Sequence, residues 1–350
     1  STREQEKGSN TYISAATDMS EKKVEAPYGT EAPLESKELT KEEKELVDAL
    51  RAKNKDSPAN ATTSDDTLIR FVRGYSREKD PVKVTHERYT KMLAWRDESK
   101  IDEVILNCPE DWEEYNKLYK AFIYGRDKLG RPVCYEQLGK LEPNDLVKFG
   151  VDKLENGHIR FMEELTKLKF HITRKEGGKL LYKHVHVIDL EGFGWKHMGK
   201  KFYGTIKKIM GIDSDFYPET LQKLFILNSS FTFRTLWSIV SAWVHPLTRA
   251  RIVMLGYDKE ANLKKMQEYI DIDQIPEYLG GKNTAPMEGI CAIKFDDIDY
   301  KGETGSWKED SIDPRAIYLR EHPPAATEDA KKTEGEEKPE EKKTAESKAS

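Results

Sequence analysis

Three β-type runs lie far apart in the chain, and their spacing constrains the fold more than any other feature. They are Tyr182-Lys-His-Val-His-Val-Ile-Asp-Leu190, Leu221-Gln-Lys-Leu-Phe-Ile-Leu-Asn228 and Ala250-Arg-Ile-Val-Met-Leu-Gly256. Helical segments, about residues 196–211 and 233–244, fill the gaps, and another covers residues 151–174. Parallel neighbours need a crossover of a dozen or more residues, usually a helix, and such crossovers are right-handed. Upstream, Tyr119-Lys-Ala-Phe-Ile-Tyr124 and Arg131-Pro-Val-Cys-Tyr-Glu136 flank the turn Gly125-Arg-Asp-Lys-Leu-Gly130 as a hairpin. The expected class is α/β: a mostly parallel sheet with an antiparallel edge, flanked by helices.

The segment before the hairpin has no strand period. Thr40-Lys-Glu-Glu43 fits a capping box, followed by Glu45, Leu46, Ala49 and Leu50. Asp66 opens Leu68-Ile-Arg-Phe-Val72, and residues 82–95 carry Val84, Tyr89, Met92 and Trp95. This block reads as a small all-helical domain. Of 350 residues, 37% are hydrophobic and 35% charged, against typical values near 45–50% and 25%. An ordinary core diluted by polar tails accounts for that. The expected layout is a disordered leader (1–38), a helical domain (39–112), the sheet domain (113–283), an extension (284–322) and a disordered charged tail (323–350).

A net charge of -5 gives no sign of a nucleic-acid binder. Cys108, Cys134 and Cys291 are odd in number and far apart. They fit a reducing compartment and offer neither a disulfide framework nor a zinc site. No signal peptide opens the chain. The longest strongly apolar stretch, residues 235–244, covers about half of the ~20 residues a membrane span needs. The expected location is cytoplasmic, peripheral on membranes. Asn60-Ala-Thr62 and Asn228-Ser-Ser230 match glycosylation acceptors by chance in such a protein.

Catalytic signals are weak. Gly192-Phe-Gly194-Trp-Lys-His197 begins like a dinucleotide loop, but histidine replaces the third glycine. A Gly-x-Ser-x-Gly nucleophile elbow is absent. Asp189 is either catalytic or a cap for the turn into Gly192, and the cap is favoured. His184 and His186 share one strand face, so metal or haem ligation competes with packed, hydrogen-bonded histidines; the latter is favoured. No catalytic residue, metal ligand or cofactor is assigned. More informative is the segment from Ser230 onward. Phe231, Phe233, Leu236, Trp237, Ile239, Val240, Ala242 and Trp243 wrap most of a helix, which means burial or membrane contact.

Together these segments resemble the CRAL-TRIO lipid-binding family, and within it the yeast-type phosphatidylinositol/phosphatidylcholine transfer proteins, over about residues 40–282. Asp65-Asp-Thr-Leu-Ile-Arg-Phe-Val-Arg73 looks like the signature of the family's helical domain, and Asp127-Lys-Leu-Gly-Arg-Pro-Val133 resembles its hairpin. Phe216-Tyr-Pro-Glu-Thr-Leu-Gln-Lys-Leu-Phe-Ile-Leu-Asn228 is the most specific segment, and Ile275-Pro-Glu-Tyr-Leu-Gly-Gly281 resembles the closing motif. The resemblance implies an enclosed lipid cavity and a mobile gate helix carrying Phe231, Phe233, Leu236, Trp237, Ile239, Val240 and Trp243. It implies a carrier, not an enzyme, with one bound phospholipid as ligand.

For phosphatidylinositol, the resemblance places a buried carboxylate at Glu219 and a hydroxyl and cation at Thr248 and Arg251. A further family arginine falls at Tyr75 here, leaving Arg77 as its candidate replacement. The hydroxyls expected of a phosphatidylcholine site fall at Gly194 and Lys196, with Cys134 and Ile123 on the hairpin, so that half is largely missing. Implied partners are membrane lipids, a transient membrane surface and a lipid kinase receiving the headgroup. Two alternatives stay open: a carrier of a sterol, a retinoid- or tocopherol-like molecule or haem, and a lipid-regulated interaction module.

Overall fold

The structure, a computed structural model, describes residue 35 and residues 38–104, 111–175 and 181–284. The expected leader (residue 35 and the junction residue 38 apart), the extension beyond residue 284, the charged tail, Cys108 and Cys291 lie outside these residues. The chain begins with helices α1 (Lys41–Lys53), α2 (Pro58–Thr62), α3 (Asp65–Gly74), α4 (Pro81–Glu98), α5 (Ile101–Val104) and α6 (Trp112–Leu118). Thr40 caps α1 in the expected box, its hydroxyl accepting from the Glu43 amide while the Glu43 carboxylate accepts from the Thr40 amide. Leu50, Leu68, Phe71, Tyr89, Met92 and Leu93 form the core of this block. Asn60 is buried in it, accepting from the Tyr89 hydroxyl at 2.8 Å, which removes it as a glycan acceptor.

Strands β1 (Ala121–Arg126), β2 (Pro132–Glu136), β3 (His184–Asp189), β4 (Leu221–Leu227) and β5 (Ile252–Met254) form one sheet in chain order. The β1–β2 pair is antiparallel and the other pairs are parallel. The connections carry α7 (Pro143–Phe149) and α8 (Val151–Lys175), then α9 (Lys200–Phe216), then α10 (Phe231–Val240) and α11 (Pro246–Arg249); α12 (Lys259–Met266) follows β5. This is the expected mixed sheet. β1 starts two residues later than the pattern suggested, because Tyr119 closes α6, its amide N–H donating to the Tyr115 carbonyl. The segment expected as a helix from Lys196 splits into a 3₁₀ turn, Trp195–Met198, and α9.

Side-chain alternation gives each sheet face its own role. Val133, Tyr135, Val185, Val187 and Phe225 pack under Met266, Ile270 and Ile275. The other face carries two cross-strand rows, Cys134–His186–Leu224–Ile252 and Glu136–Ile188–Ile226–Met254. This face meets the larger core, to which α8, α9 and α10 contribute Phe161, Met162, Phe202, Phe233 and Leu236.

The helical block clamps the end of α9 and the segment that follows it. Trp95 stacks on Phe216 at 3.9 Å between ring centroids. Arg88 and Lys91 both pair with Asp215. Buried Arg96 forms two bonds, 2.7 and 3.0 Å, to the Glu163 carboxylate on α8. Glu163 also accepts from the Tyr217 hydroxyl at 2.8 Å. Arg70, from the Asp65–Arg73 motif, donates to the Pro218 carbonyl.

Candidate functional site

Between the second sheet face and helices α6, α8, α9 and α10 lies a cavity of about 570 Å³, within the usual range of small-molecule sites. Its apolar wall includes Phe161 and Met162 on α8, Phe202, Ile206 and Ile209 on α9, Leu224 and Ile226 on β4, and Phe233, Leu236 and Trp237 on α10. Gly157 on α8 keeps the wall close. A Cβ there would lie 2.3 Å from the ring of Tyr115, another lining residue.

One end of the cavity is charged. Glu219, Thr248 and Arg251, the three residues expected at the headgroup, all line it together. The Arg251 guanidinium donates to Glu219 at 2.7 Å and to the Leu221 carbonyl at 2.8 Å. Lys183 also reaches Glu219, at 2.8 Å, and was not singled out in the sequence because it sits inside a β-type run. Burial pushes the Glu219 carboxyl up, but the Lys183 ammonium and Arg251 guanidinium push harder, holding it below the usual carboxylate range. Burial likewise draws the Lys183 amine down against the pull of Glu219. Glu219 occupies the left-handed region (φ 58°), a conformation that a non-glycine residue holds only where its surroundings enforce it. The Arg70 bond to Pro218 and the close approach of Gly74 to Pro218 and Glu219 supply that enforcement. Tyr75 lines the cavity; Arg77 is not among the lining residues.

The gate residues divide by face. Phe233, Leu236, Trp237, Val240 and Trp243 line the cavity. Phe231 and Ile239 do not; they are exposed, which corrects the expectation that all seven belong to the pocket. The apolar pattern ran all round the helix, but α10 covers the cavity with one side only. Ser230 caps it by accepting from the Phe233 amide, and Ser241–Trp243 continues as a 3₁₀ turn.

Halfway along, the wall carries a polar band that the sequence did not reveal. Tyr119 and His186 both bond to Glu136, the second at 3.1 Å, and His158 meets Asp213 at 2.7 Å. Glu136, His186, His158 and Asp213 come from β2, β3, α8 and α9, Tyr119 follows α6, and the two histidine–carboxylate pairs each join residues 50 or more positions apart. Burial alone would push the His158 imidazole down, but the Asp213 carboxylate, with Glu136 beyond it, pushes it above the ordinary histidine value. A histidine raised in this way contributes stability fully present below its unfolded pKa of about 6.5 and lost as pH rises through the folded value. His158→Gln is therefore expected to destabilise the protein more at mildly acidic than at alkaline pH. Denaturant midpoints measured at both would check it; an equal loss at the two would count against the pair.

The remaining candidates resolve as structural. His184 Nδ1 is hydrogen-bonded to Lys169 Nζ at 3.1 Å. Burial brings that amine down to about 7 and pushes His184 well below the histidine range. Among the described residues no group of three His, Cys, Asp or Glu side chains is placed to hold a metal ion. Asp189 caps its turn, accepting from the Glu191 amide at 2.9 Å and from Asn228 at 2.7 Å. The Gly194 amide is taken by His197 Nδ1, whose Nε2 meets the Leu141 carbonyl, so this loop cradles no phosphate. Lys196 pairs with Glu142 on the surface. Cys134 is buried on the cavity side of β2, and burial pushes its thiol up to about 12. Among the described residues no helix is long and apolar enough to cross a membrane.

The sheet is thus mixed and five-stranded, with one face closed by helices around an apolar cavity with a charged end, the form of a binding site for an apolar ligand with a polar end. The family model described as CRAL/TRIO domain matches residues 116–281, and that segment of the chain is a CRAL/TRIO domain. Among its relatives, "Phosphatidylinositol/phosphatidylcholine transfer protein SFH12" of Arabidopsis thaliana is 31% identical over 70% of this chain and 43% of its own length. The SFH7 protein of that name and organism is 29% identical over 74% and 44%. The chain thus spans less than half the length of these plant relatives. The "Sec14 cytosolic factor" of Schizosaccharomyces pombe is 26% identical, over 81% of this chain and 93% of its own length. A solved structure titled "Crystal structure of Sfh5" shares the fold with a TM-score of 0.57, at 17% identity over 73% of this chain and 94% of that one.

Proposed function

We propose that the chain holds one phospholipid, with phosphatidylinositol preferred, in this cavity and moves it between membranes or presents it to a lipid kinase, acting as a carrier and not an enzyme. The observation that carries the reading is the Glu219–Arg251–Lys183 cluster at the end of an apolar cavity. The planar Arg251 guanidinium suits a phosphate diester and Glu219 suits inositol hydroxyls, while Lys183, buried behind Glu219 and off the cavity wall, holds that carboxylate in place. The names of the relatives support lipid transfer. Each buried methylene contributes roughly 0.8 kcal/mol, so a lipid leaves a bilayer only for a cavity as apolar as this one. A gate that a bilayer stabilises open would couple that exchange to the membrane surface.

Transfer of labelled phosphatidylinositol from donor to acceptor vesicles tests this. The chain should accelerate it well above the spontaneous rate, and labelled phosphatidylcholine less. No acceleration of either lipid would refute the proposal. A second reading rests on the polar band: Glu136, His186, His158 and Asp213 in the cavity wall suit a ligand with a hydroxyl at mid-depth, such as a sterol. Competition by a sterol in the same assay would favour it. The haem version loses support, because His184 and His186 already engage Lys169 and Glu136.

A further inference from the structure

Three large aromatic residues stand in water at one edge of the sheet. Trp195 is 73% exposed, Phe231 82% and Tyr257 65%. Each lies just beyond the C-terminal end of a parallel strand: Trp195 after β3, Phe231 after β4 and Tyr257 after β5. The three loops are tied together. Phe193 packs edge-on against Phe233 at 5.5 Å, joining the first loop to the start of α10. Asn228 bonds to Asp189, and the Asn228 and Ser229 amides donate to the Gly256 and Leu255 carbonyls. The aromatics therefore share one edge rather than being scattered.

The charge around them departs from that of the chain. The whole sequence has a net charge of -5. Yet residues 192–212 and 220–257, which supply this edge and the helices behind it, contain no Asp or Glu. Lys200 and Lys201 lie in the first turn of α9 and Arg234 in the first turn of α10. All three are exposed and have no carboxylate partner among the described residues. Acidic residues flank this stretch: Asp189 is buried and bonded to Asn228, Glu191 is exposed just before Gly192, Glu142 is paired with Lys196, and Asp258 caps α12. The N-termini of α9 and α10, which carry the positive ends of their dipoles, follow β3 and β4 at this edge.

We infer that this edge is a docking surface for an anionic phospholipid bilayer, with Trp195, Phe231 and Tyr257 entering the headgroup layer and Lys200, Lys201 and Arg234 meeting lipid phosphates. Aromatic rings favour the membrane–water interface, and basic residues respond to the negative surface potential. The inference deepens the proposed lipid-carrier function and rests on it for its purpose. It also sets an orientation. The Glu219–Arg251 pair lies at the opposite end of β4, about 20 Å away by strand rise. A lipid crossing the docking edge head first would reach that pair with its acyl chains still toward the bilayer.

Co-sedimentation with vesicles of phosphatidylcholine alone, and of phosphatidylcholine with phosphatidylserine, tests the surface using the full chain. Binding should need phosphatidylserine and weaken with added salt. The triple variant Lys200→Glu, Lys201→Glu, Arg234→Glu should lose at least about tenfold in affinity. The variant Trp195→Ser, Phe231→Ser, Tyr257→Ser should bind weakly to both vesicle types. Both should keep the wild-type melting temperature and co-purified ligand, because none of the six residues lines the cavity. Wild-type binding by both variants would overturn the inference. So would a wild-type dimer in light scattering that the aromatic variant dissolves, since the edge would then be an interface between copies. A chain that binds anionic vesicles but carries no lipid would instead sink the carrier reading and leave the docking surface standing.

Discussion

Arg251→Ala is expected to remove phosphatidylinositol capture while the fold survives. Arg251 lines the cavity end, and its fork already meets Glu219 and the Leu221 carbonyl. Truncating one partner of a buried, hydrogen-bonded charge costs ~2–5 kcal/mol, so affinity should fall by at least about 30-fold. The fold should hold because Glu219 keeps its 2.8 Å contact with Lys183 and is not left as a bare buried charge. Arg251→Lys should restore part of the affinity, because it returns the charge without the planar fork. Equilibrium binding and vesicle transfer, with a melting curve for each variant, check this. Unchanged transfer by the alanine variant would move the headgroup away from this end of the cavity.

The second large effect concerns stability. Glu163 is fully buried, and it accepts both bonds from Arg96 and one from the Tyr217 hydroxyl. Glu163→Ala would leave a buried guanidinium short of a partner, with Asp102 remaining among the described residues. Breaking a buried pair this way costs ~3–5 kcal/mol. The damage should extend to function, because Tyr217 immediately precedes Pro218 and the strained Glu219 turn. Urea unfolding should show a lower midpoint, and lipid capture should fall even at temperatures where the variant is folded. A loss under about 1 kcal/mol would mean the junction is weaker than its geometry indicates.

These two sites show what the chain's pattern reveals and what it hides. The strands were legible because each is a local, period-two or wholly apolar run, and their wide spacing leaves helical crossovers as the economical connection. Glu219, Thr248 and Arg251 were legible only through the family resemblance; the residues themselves suggest no more than an ion pair. Lys183 was hidden because it reads as one polar residue at the start of a strand, and its partner lies 36 positions later (219 − 183), brought alongside when β3 and β4 pair. Arg70 was visible as part of a helix motif, but its bond to Pro218 spans 148 positions. The polar band was hidden for the same reason: His158 and Asp213 are unremarkable residues on two helices until the helices pack. On α10 the all-round apolar pattern left burial and membrane contact both open; only the packing shows which side lines the cavity and which, with Phe231 and Ile239, is exposed.

The central claim is that this cavity holds a single phospholipid. Native mass spectrometry of the purified full chain tests it most directly. The account predicts one bound diacyl phospholipid per chain, enriched in phosphatidylinositol, released on denaturation. A chain that flies empty after gentle purification, or that carries a sterol or other non-phospholipid mass, would contradict it.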